Sequence, residues 1–169
     1  MIGAVVLAAG AATRFGAPKQ LLLLSEVLDR LRSVPVDEIV VVAGAHELST
    51  EATLVACPEW ERGPGASLRC GLAALSPETE AAVVVLADGP DLVPESVARI
   101  IDAWRADGGE LVAASYDGAR GHPLLLARAA WGDVPDDGLR DREPRLVPCD
   151  DLGAPGDVDV PADLPERLR

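Results

Sequence analysis

Aromatic side chains are scarce in this chain: one Phe, one Tyr and three Trp make up 3% of 169 residues. The core must therefore be aliphatic, and stacking platforms for single-stranded nucleic acid lack the residues they use. Cations are also in short supply, with 15 Lys and Arg against 28 Asp and Glu for a formal net charge of −13. That balance repels a phosphate backbone and an anionic membrane surface, so the expectation is no nucleic-acid and no membrane partner. No apolar run approaches the ~18 residues of a membrane span. No Lys or Arg precedes Arg14, so the apolar start from Met1 to Ala12 reads as a buried first strand rather than a secretory signal. His46 and His122 lie far apart, and Cys57, Cys70 and Cys149 are odd in number without C-x-x-C spacing. This argues against a zinc site and favours a reducing cytoplasm. At 49% hydrophobic and 25% charged the chain is globular, and its length suits one domain over residues 1–169.

Ile2 to Ala8, Glu38 to Ala43 and Ala82 to Ala87 are short aliphatic runs that read as strands buried on both faces. Leu24, Val27, Leu28 and Leu31 form one helical face behind a Ser25 cap, and Ser67 is positioned to cap a second helix through Leu75. Pro94, Val97, Ile100, Ile101 and Trp104 mark a third helix ending near Gly108 and Gly109. Weaker strand signals cover Glu110 to Ser115, Leu124 to Leu126 and Arg145 to Cys149, with Asp133 to Pro144 as a charged loop. The alternation predicts an α/β fold, a three-layer α/β/α sandwich on a mostly parallel sheet. In such sheets ligands bind outside the carboxyl ends of the strands.

Gly10 to Lys19 follows the first strand as a loop of small residues carrying two cations. Its glycines let backbone N–H groups approach an anion, with Arg14 as a fork of donors and Lys19 as a point charge. No acidic residue precedes Glu26, and Lys19 is the only lysine, so this segment is a positive island; the competing reading is a Gly-rich turn with solvated charges. After the third run, Asp88-Gly-Pro-Asp91 offers a carboxylate suited to Mg²⁺, although either Asp equally starts a turn or caps the next helix. The Gly63-Pro-Gly65 loop precedes a helix start whose N–H groups suit a polar ligand, or it is only a loop and a helix. His122 suits substrate orientation or proton transfer, against the commoner structural role of a lone histidine.

Leu7-Ala-Ala-Gly10-Ala-Ala-Thr-Arg14-Phe-Gly-Ala-Pro-Lys19 resembles the L-A-A-G-x-x-x-R-x-G-x-P-K signature of nucleotidyltransferases with a GT-A-like Rossmannoid fold. Trp60-x-x-Gly63, Ser67-Leu-x-x-Gly71-Leu, Asp88-x-Pro90, Gly121-His122-Pro123 and Asp157-Val-Asp159-Val-Pro161-x-Asp163-Leu are similar to the MobA/MocA-like branch, whose members attach a nucleotide to the phosphate of molybdopterin. The resemblance runs from residue 2 to about 164. It implies that Leu7, Ala8, Ala9, Gly10, Arg14 and Lys19 hold the nucleotide, that Ser67, Arg69 and Gly71 line its pocket, and that His122 lies on the acceptor side. It also implies Mg²⁺ on Asp88 and Asp159, with Asp157 as the fallback, and catalytic roles for Arg14, Lys19 and Asp88. Ala9, where the guanylyltransferase form of the signature has Gly, implies CTP over GTP.

The resemblance has gaps. A G-x-P-L segment usual after the P-K-Q-L-L run is missing, Cys57 replaces a frequent Asn, and Asp136-x-Gly138-x-Arg140, which resembles a D-x-G-x-R element, sits in a contracted region. The expected function is Mg²⁺-dependent transfer of NMP from NTP to a phosphorylated small-molecule acceptor, molybdopterin first, with a molybdoenzyme or maturation factor as protein partner. The alternatives are another phosphorylated metabolite or sugar phosphate as acceptor, and a catalytically weak nucleotide-binding or cofactor-handling protein.

Overall fold

The computed structural model describes residues 1–11 and 19–169, with residues 19 and 20 described for their backbone alone. Among the described residues seven strands form one sheet: β1 (Ile2–Ala8), β2 (Glu38–Ala43), β3 (Thr53–Ala56), β4 (Ala81–Leu86), β5 (Leu111–Tyr116), β6 (Ala119–Ala127) and β7 (Arg145–Pro148). Their spatial order is β3-β2-β1-β4-β6-β5-β7. All pairings on the β3 to β4 side are parallel, and β6 alone runs against its neighbours β4 and β5. The α-helices among the described residues, α1 (Lys19–Leu31), α2 (Pro64–Ala74) and α3 (Pro94–Asp107), cover the sheet. No helix among the described residues is long and apolar enough to cross a membrane.

The period of two along each strand sorts the core into layers. Ala4 and Val6 of β1, Val41 of β2 and Val83 and Val85 of β4 face Leu24, Val27, Leu28 and Leu31 of α1 and Val97, Ile100 and Ile101 of α3. Val5, Val40, Val42, Ala82 and Val84, one residue out of phase, face Leu68 and Leu72 of α2 and Leu75 just beyond its end. Aliphatic runs serve here because both sheet faces are covered. A third, small cluster joins Leu23 of α1 to Val158, with Leu164 and Leu168 against it, and holds the C-terminal segment beside α1.

Several local expectations are corrected. Ser25 is an exposed residue inside α1, which begins six residues earlier at Lys19. Ser67 is likewise inside α2 and 3% exposed, while Gly63 is the N-cap and Pro64 opens the helix. β3 has no counterpart in the sequence reading, and β6 starts at Ala119, five residues before the apolar run that signalled it. Cys57 and Cys70 form a disulfide with Cα atoms 5.9 Å apart, leaving only Cys149 free, which departs from the reduced state that a cytoplasmic setting implies.

Candidate active site

β4 is the central support. Ala87 N–H donates to the Leu7 carbonyl at 3.1 Å, extending the β1–β4 ladder and setting half-buried Asp88 beside the end of β1. The C-terminal segment returns to this point: Val158 N–H donates to the Asp88 carbonyl at 3.1 Å and Asp91 N–H to the Pro155 carbonyl at 3.0 Å. Val158 is buried against Leu23, so its neighbours Asp157 and Asp159 are fixed on either side of the contact. Asp159 is held further by Asp163, whose carboxylate accepts N–H groups from Asp159 and Val160 at 3.1 and 3.0 Å. Asp91 pairs with Arg167 at 2.9 Å, which makes it a tie for the C-terminal segment. Thus Asp88 and the 157–159 stretch, more than 65 residues further along the chain, are joined through the backbone at one sheet edge.

Among the described residues no group of three or more His, Cys, Asp or Glu side chains gathers as a metal cage. Mg²⁺ takes one or two carboxylates and completes its shell with water and substrate phosphates, so Asp88 together with one aspartate of the C-terminal segment would be enough protein ligands for such a cation.

The first loop is described at its entry. Ala45 N–H donates to the Ala9 carbonyl at 3.1 Å, and His46 Nε2 lies 3.0 Å from the Ala11 carbonyl. Ala9 is buried where the glycine at 44 admits the Trp60 ring: a Cβ at Gly44 would lie 2.6 Å from that ring and 2.8 Å from the Ala9 Cβ. Gly10 is exposed. Arg14 and the Lys19 side chain lie outside the described residues.

The start of α2 differs from the sequence expectation of an open polar-ligand site. Gly65 N–H donates to the Asp136 carbonyl at 2.8 Å, while Ala66 and Ser67 N–H groups donate to the Gly63 carbonyl at 3.1 and 3.4 Å. The helix N-terminus is thus occupied by the 134–138 loop. Arg69 donates to the Val134 carbonyl at 2.7 Å and to the Asp136 carboxylate, which Arg62 also pairs at 3.0 Å. These two guanidiniums hold the Asp136 carboxyl below its ordinary range. Gly71 lets α2 seat on the sheet, since a Cβ there would lie 2.4 Å from Val5 and 2.8 Å from Val42. Ser67, Arg69 and Gly71 line neither of the two cavities at this end of the sheet.

Those cavities flank the start of β6. One, about 430 Å³, is walled by Leu7, Leu68, Leu86 and Leu124 and by residues 137–140. The other, about 320 Å³, lies towards Leu92, Tyr116, Pro155 and Asp157. Leu86, Arg120, Gly121 and His122 border both. The Tyr116 hydroxyl donates to the His122 carbonyl at 2.9 Å, and its ring packs over Gly121. Burial and the nearby Arg120 charge push the His122 imidazole down to about 4, against a smaller upward pull from Asp88. His122 is therefore neutral at pH 7 and electrostatically coupled to Asp88. Arg120 and Arg140, which sequence reasoning did not single out, also border the larger cavity; the D-x-G-x-R pattern was the available signal for Arg140.

The seven-stranded, mostly parallel sheet has the nucleotide-diphospho-sugar transferase fold. The model of the MobA-like NTP transferase domain matches residues 4–147, and the chain belongs to that family. It is similar to the crystal structure of Rv0371c from Mycobacterium tuberculosis H37Rv, at 31% identity and a TM-score of 0.80, covering 96% of this chain and 94% of that one. A homologue of that protein from Mycobacterium sp. strain JC1 gives 27% identity and a TM-score of 0.81 over 99% and 94%. The manganese complex of Rv0371c gives 29% and 0.72 over 96% and 92%. No curated protein matches the chain in sequence.

Proposed function

We propose that the protein transfers NMP, with CMP favoured, from an NTP to a phosphorylated acceptor, molybdopterin foremost, and releases pyrophosphate. The observation that carries this reading is the junction of Asp88 with Asp157–Asp159, tied by the Val158 N–H to the Asp88 carbonyl. Asp88 holds a divalent cation, Mg²⁺ in the first instance, with Asp159 as second ligand and Asp157 as its substitute. That the similar Rv0371c forms a complex with manganese supports use of a divalent ion. Such an ion, when bound, neutralises charge on the phosphates.

Leu7 to Gly10 meet the nucleotide with backbone groups, and Arg14 and Lys19 contact its triphosphate. Ser67 and Gly71 shape that side through the seating of α2, and Arg69 does so by clamping the 134–136 loop. An acceptor phosphate oxygen attacks the α-phosphorus in line, the bond to the bridging oxygen breaks, and pyrophosphate leaves with the electron pair. Positioning and charge stabilisation suffice, and no covalent intermediate on the protein is needed. Neutral His122 orients the acceptor at the wall it shares with both cavities.

Pyrophosphate release measured with CTP, GTP and ATP against molybdopterin and a panel of sugar phosphates tests the reading. It expects metal-dependent release, fastest with CTP. Nucleotide binding without release for any acceptor would instead make the protein a nucleotide-binding module.

A further inference from the structure

Several guanidiniums pin the 128–142 segment. Arg62 and Arg69 hold Asp136, and Arg69 also holds the Val134 carbonyl. Arg120 donates from one nitrogen to the Leu139 and Arg142 carbonyls at 2.9 and 2.7 Å, and Arg142 reaches back to the Ala130 and Asp133 carbonyls. Between the two carbonyls that Arg120 grips stands Arg140. It is exposed, it borders the 430 Å³ cavity, and among the described residues its guanidinium has no hydrogen-bond or ion-pair partner. Every other arginine among the described residues has a hydrogen bond or an ion pair. In a chain with 28 carboxylates that exception is informative, because an exposed guanidinium readily finds an acidic partner. Asp137, the one acid bordering the same cavity, forms no ion pair with Arg140. Arg120 adds a second positive charge to the wall whose donors go to carbonyls, not to a carboxylate.

The remaining wall is aliphatic: Leu7, Leu68, Val84, Leu86, Leu124 and Leu139. We infer that this cavity is a second anion site, in which Arg140 binds the phosphate of a substrate whose adjoining body lies against the leucines. The inference rests on the nucleotidyl-transfer reading for its occupant, the phosphorylated acceptor, because the cavity opens on β6 and the 137–140 turn. The shape of the turn supports this role. Gly138, at φ +86°, closes a turn in which its N–H donates to the Pro135 carbonyl at 3.0 Å, and Leu139 is 6% exposed in the core. Arg140 is thus presented from an immobilised backbone, which limits the ordering cost of gripping an anion. A guanidinium fork suits a phosphate monoester by bidentate charge-assisted hydrogen bonds.

Phenyl phosphate is the probe, with phenol as its uncharged control, titrated calorimetrically into wild type, Arg140→Ala, Arg140→Lys and Arg105→Ala. Arg105, exposed on α3 and 3.8 Å from Asp102, controls for the loss of one positive charge. The expected result is phenyl phosphate binding in wild type and Arg105→Ala, a loss of about tenfold or more in Arg140→Ala, and an intermediate value in Arg140→Lys. Phenol binding should not distinguish the proteins. CTP affinity should stay within about twofold of wild type in Arg140→Ala, a change small beside the tenfold step of ~1.4 kcal/mol. Equal phenyl phosphate binding by wild type and Arg140→Ala overturns the inference, as does equal weakening by Arg105→Ala. A matching loss of CTP affinity assigns the guanidinium to the nucleotide phosphates and overturns the acceptor site. Wild type that binds phenyl phosphate through Arg140 but no NTP contradicts the nucleotidyl-transfer reading and leaves the anion site standing.

Discussion

Gly65→Ala is the most exacting test of the clamp between α2 and the 134–138 loop. A Cβ at this position would lie 1.6 Å from the Pro135 carbonyl oxygen, 2.8 Å from its carbon and 2.9 Å from the Gly138 nitrogen. All three are backbone atoms, so no rotamer change relieves the clash and the loop must retreat by more than an ångström. That displacement breaks the Gly65 N–H bond to the Asp136 carbonyl, 2.8 Å in the native fold, worth about 1 kcal/mol. It also pulls the Val134 carbonyl away from Arg69, adding about 1.5 kcal/mol for that part-buried bond to a charged donor, and loosens the exposed Arg69–Asp136 pair. The helix propensity of Ala over Gly returns a few tenths up to about 1 kcal/mol. The net expectation is a loss of about 2 kcal/mol, or roughly 4–8 °C in melting temperature for a chain of this size. Urea unfolding of Gly65→Ala beside Gly132→Ala reads this directly, because a Cβ at Gly132 meets nothing within 4 Å. The Gly132 variant should stay within about 0.5 kcal/mol of wild type. If Gly65→Ala does so too, the loop does not sit on the start of α2, and the wall that carries Arg140 is misplaced.

Gly71→Ala should cost about 1–3 kcal/mol by overpacking against Val5 and Val42, measured by the same unfolding. His122 links stability to pH. Its imidazole is pushed down to about 4 in the fold, so between there and the ordinary value of 6.5 the unfolded chain carries a proton that the native one lacks. Its contribution is therefore fully present above pH 6.5 and is lost as pH falls towards 4, on the order of 3 kcal/mol in total. Urea unfolding of wild type and His122→Gln across that window should give a shallower slope for the variant, and identical slopes would contradict the burial of a neutral imidazole. Under denaturing, non-reducing conditions one thiol per chain, Cys149, should react, because Cys57 and Cys70 are joined; three reactive thiols would refute the pairing.

The strands that decide the fold were legible because they are buried on both faces. The Val and Ile runs of β1, β2 and β4 leave little room for another reading. β3 escaped because Thr53–Ala56 is an edge strand with three exposed residues, so neither a continuous apolar run nor clean alternation marks it. Hydroxyl residues misled at both helix starts: Ser25 and Ser67 have the chemistry of caps, yet the proline after Gly63 was the better signal for α2. At the site, the first loop and Asp88 stand out locally, through charge isolation and position after a strand. The association of Asp88 with Asp157–Asp159 depends on Val158 packing against Leu23, and that long-range contact leaves no trace in spacing. Likewise the bonds of Arg69, which the resemblance places at the nucleotide pocket, to the Val134 carbonyl and Asp136 leave no trace in spacing.

The central claim is that Asp88 works as a carboxylate at a metal-dependent transfer site and not as the residue that shapes the turn after β4. Asp88→Asn keeps the size and the backbone carbonyl that receives the Val158 N–H, and removes only the charge. Pyrophosphate release by wild type and Asp88→Asn across a Mg²⁺ titration, with circular dichroism to confirm the fold, is the direct measurement. A metal contributes several kcal/mol of transition-state charge stabilisation and each ~1.4 kcal/mol is roughly tenfold in rate, so the account predicts at least about a hundredfold loss of turnover. Wild-type turnover with the same Mg²⁺ midpoint in the variant would contradict it.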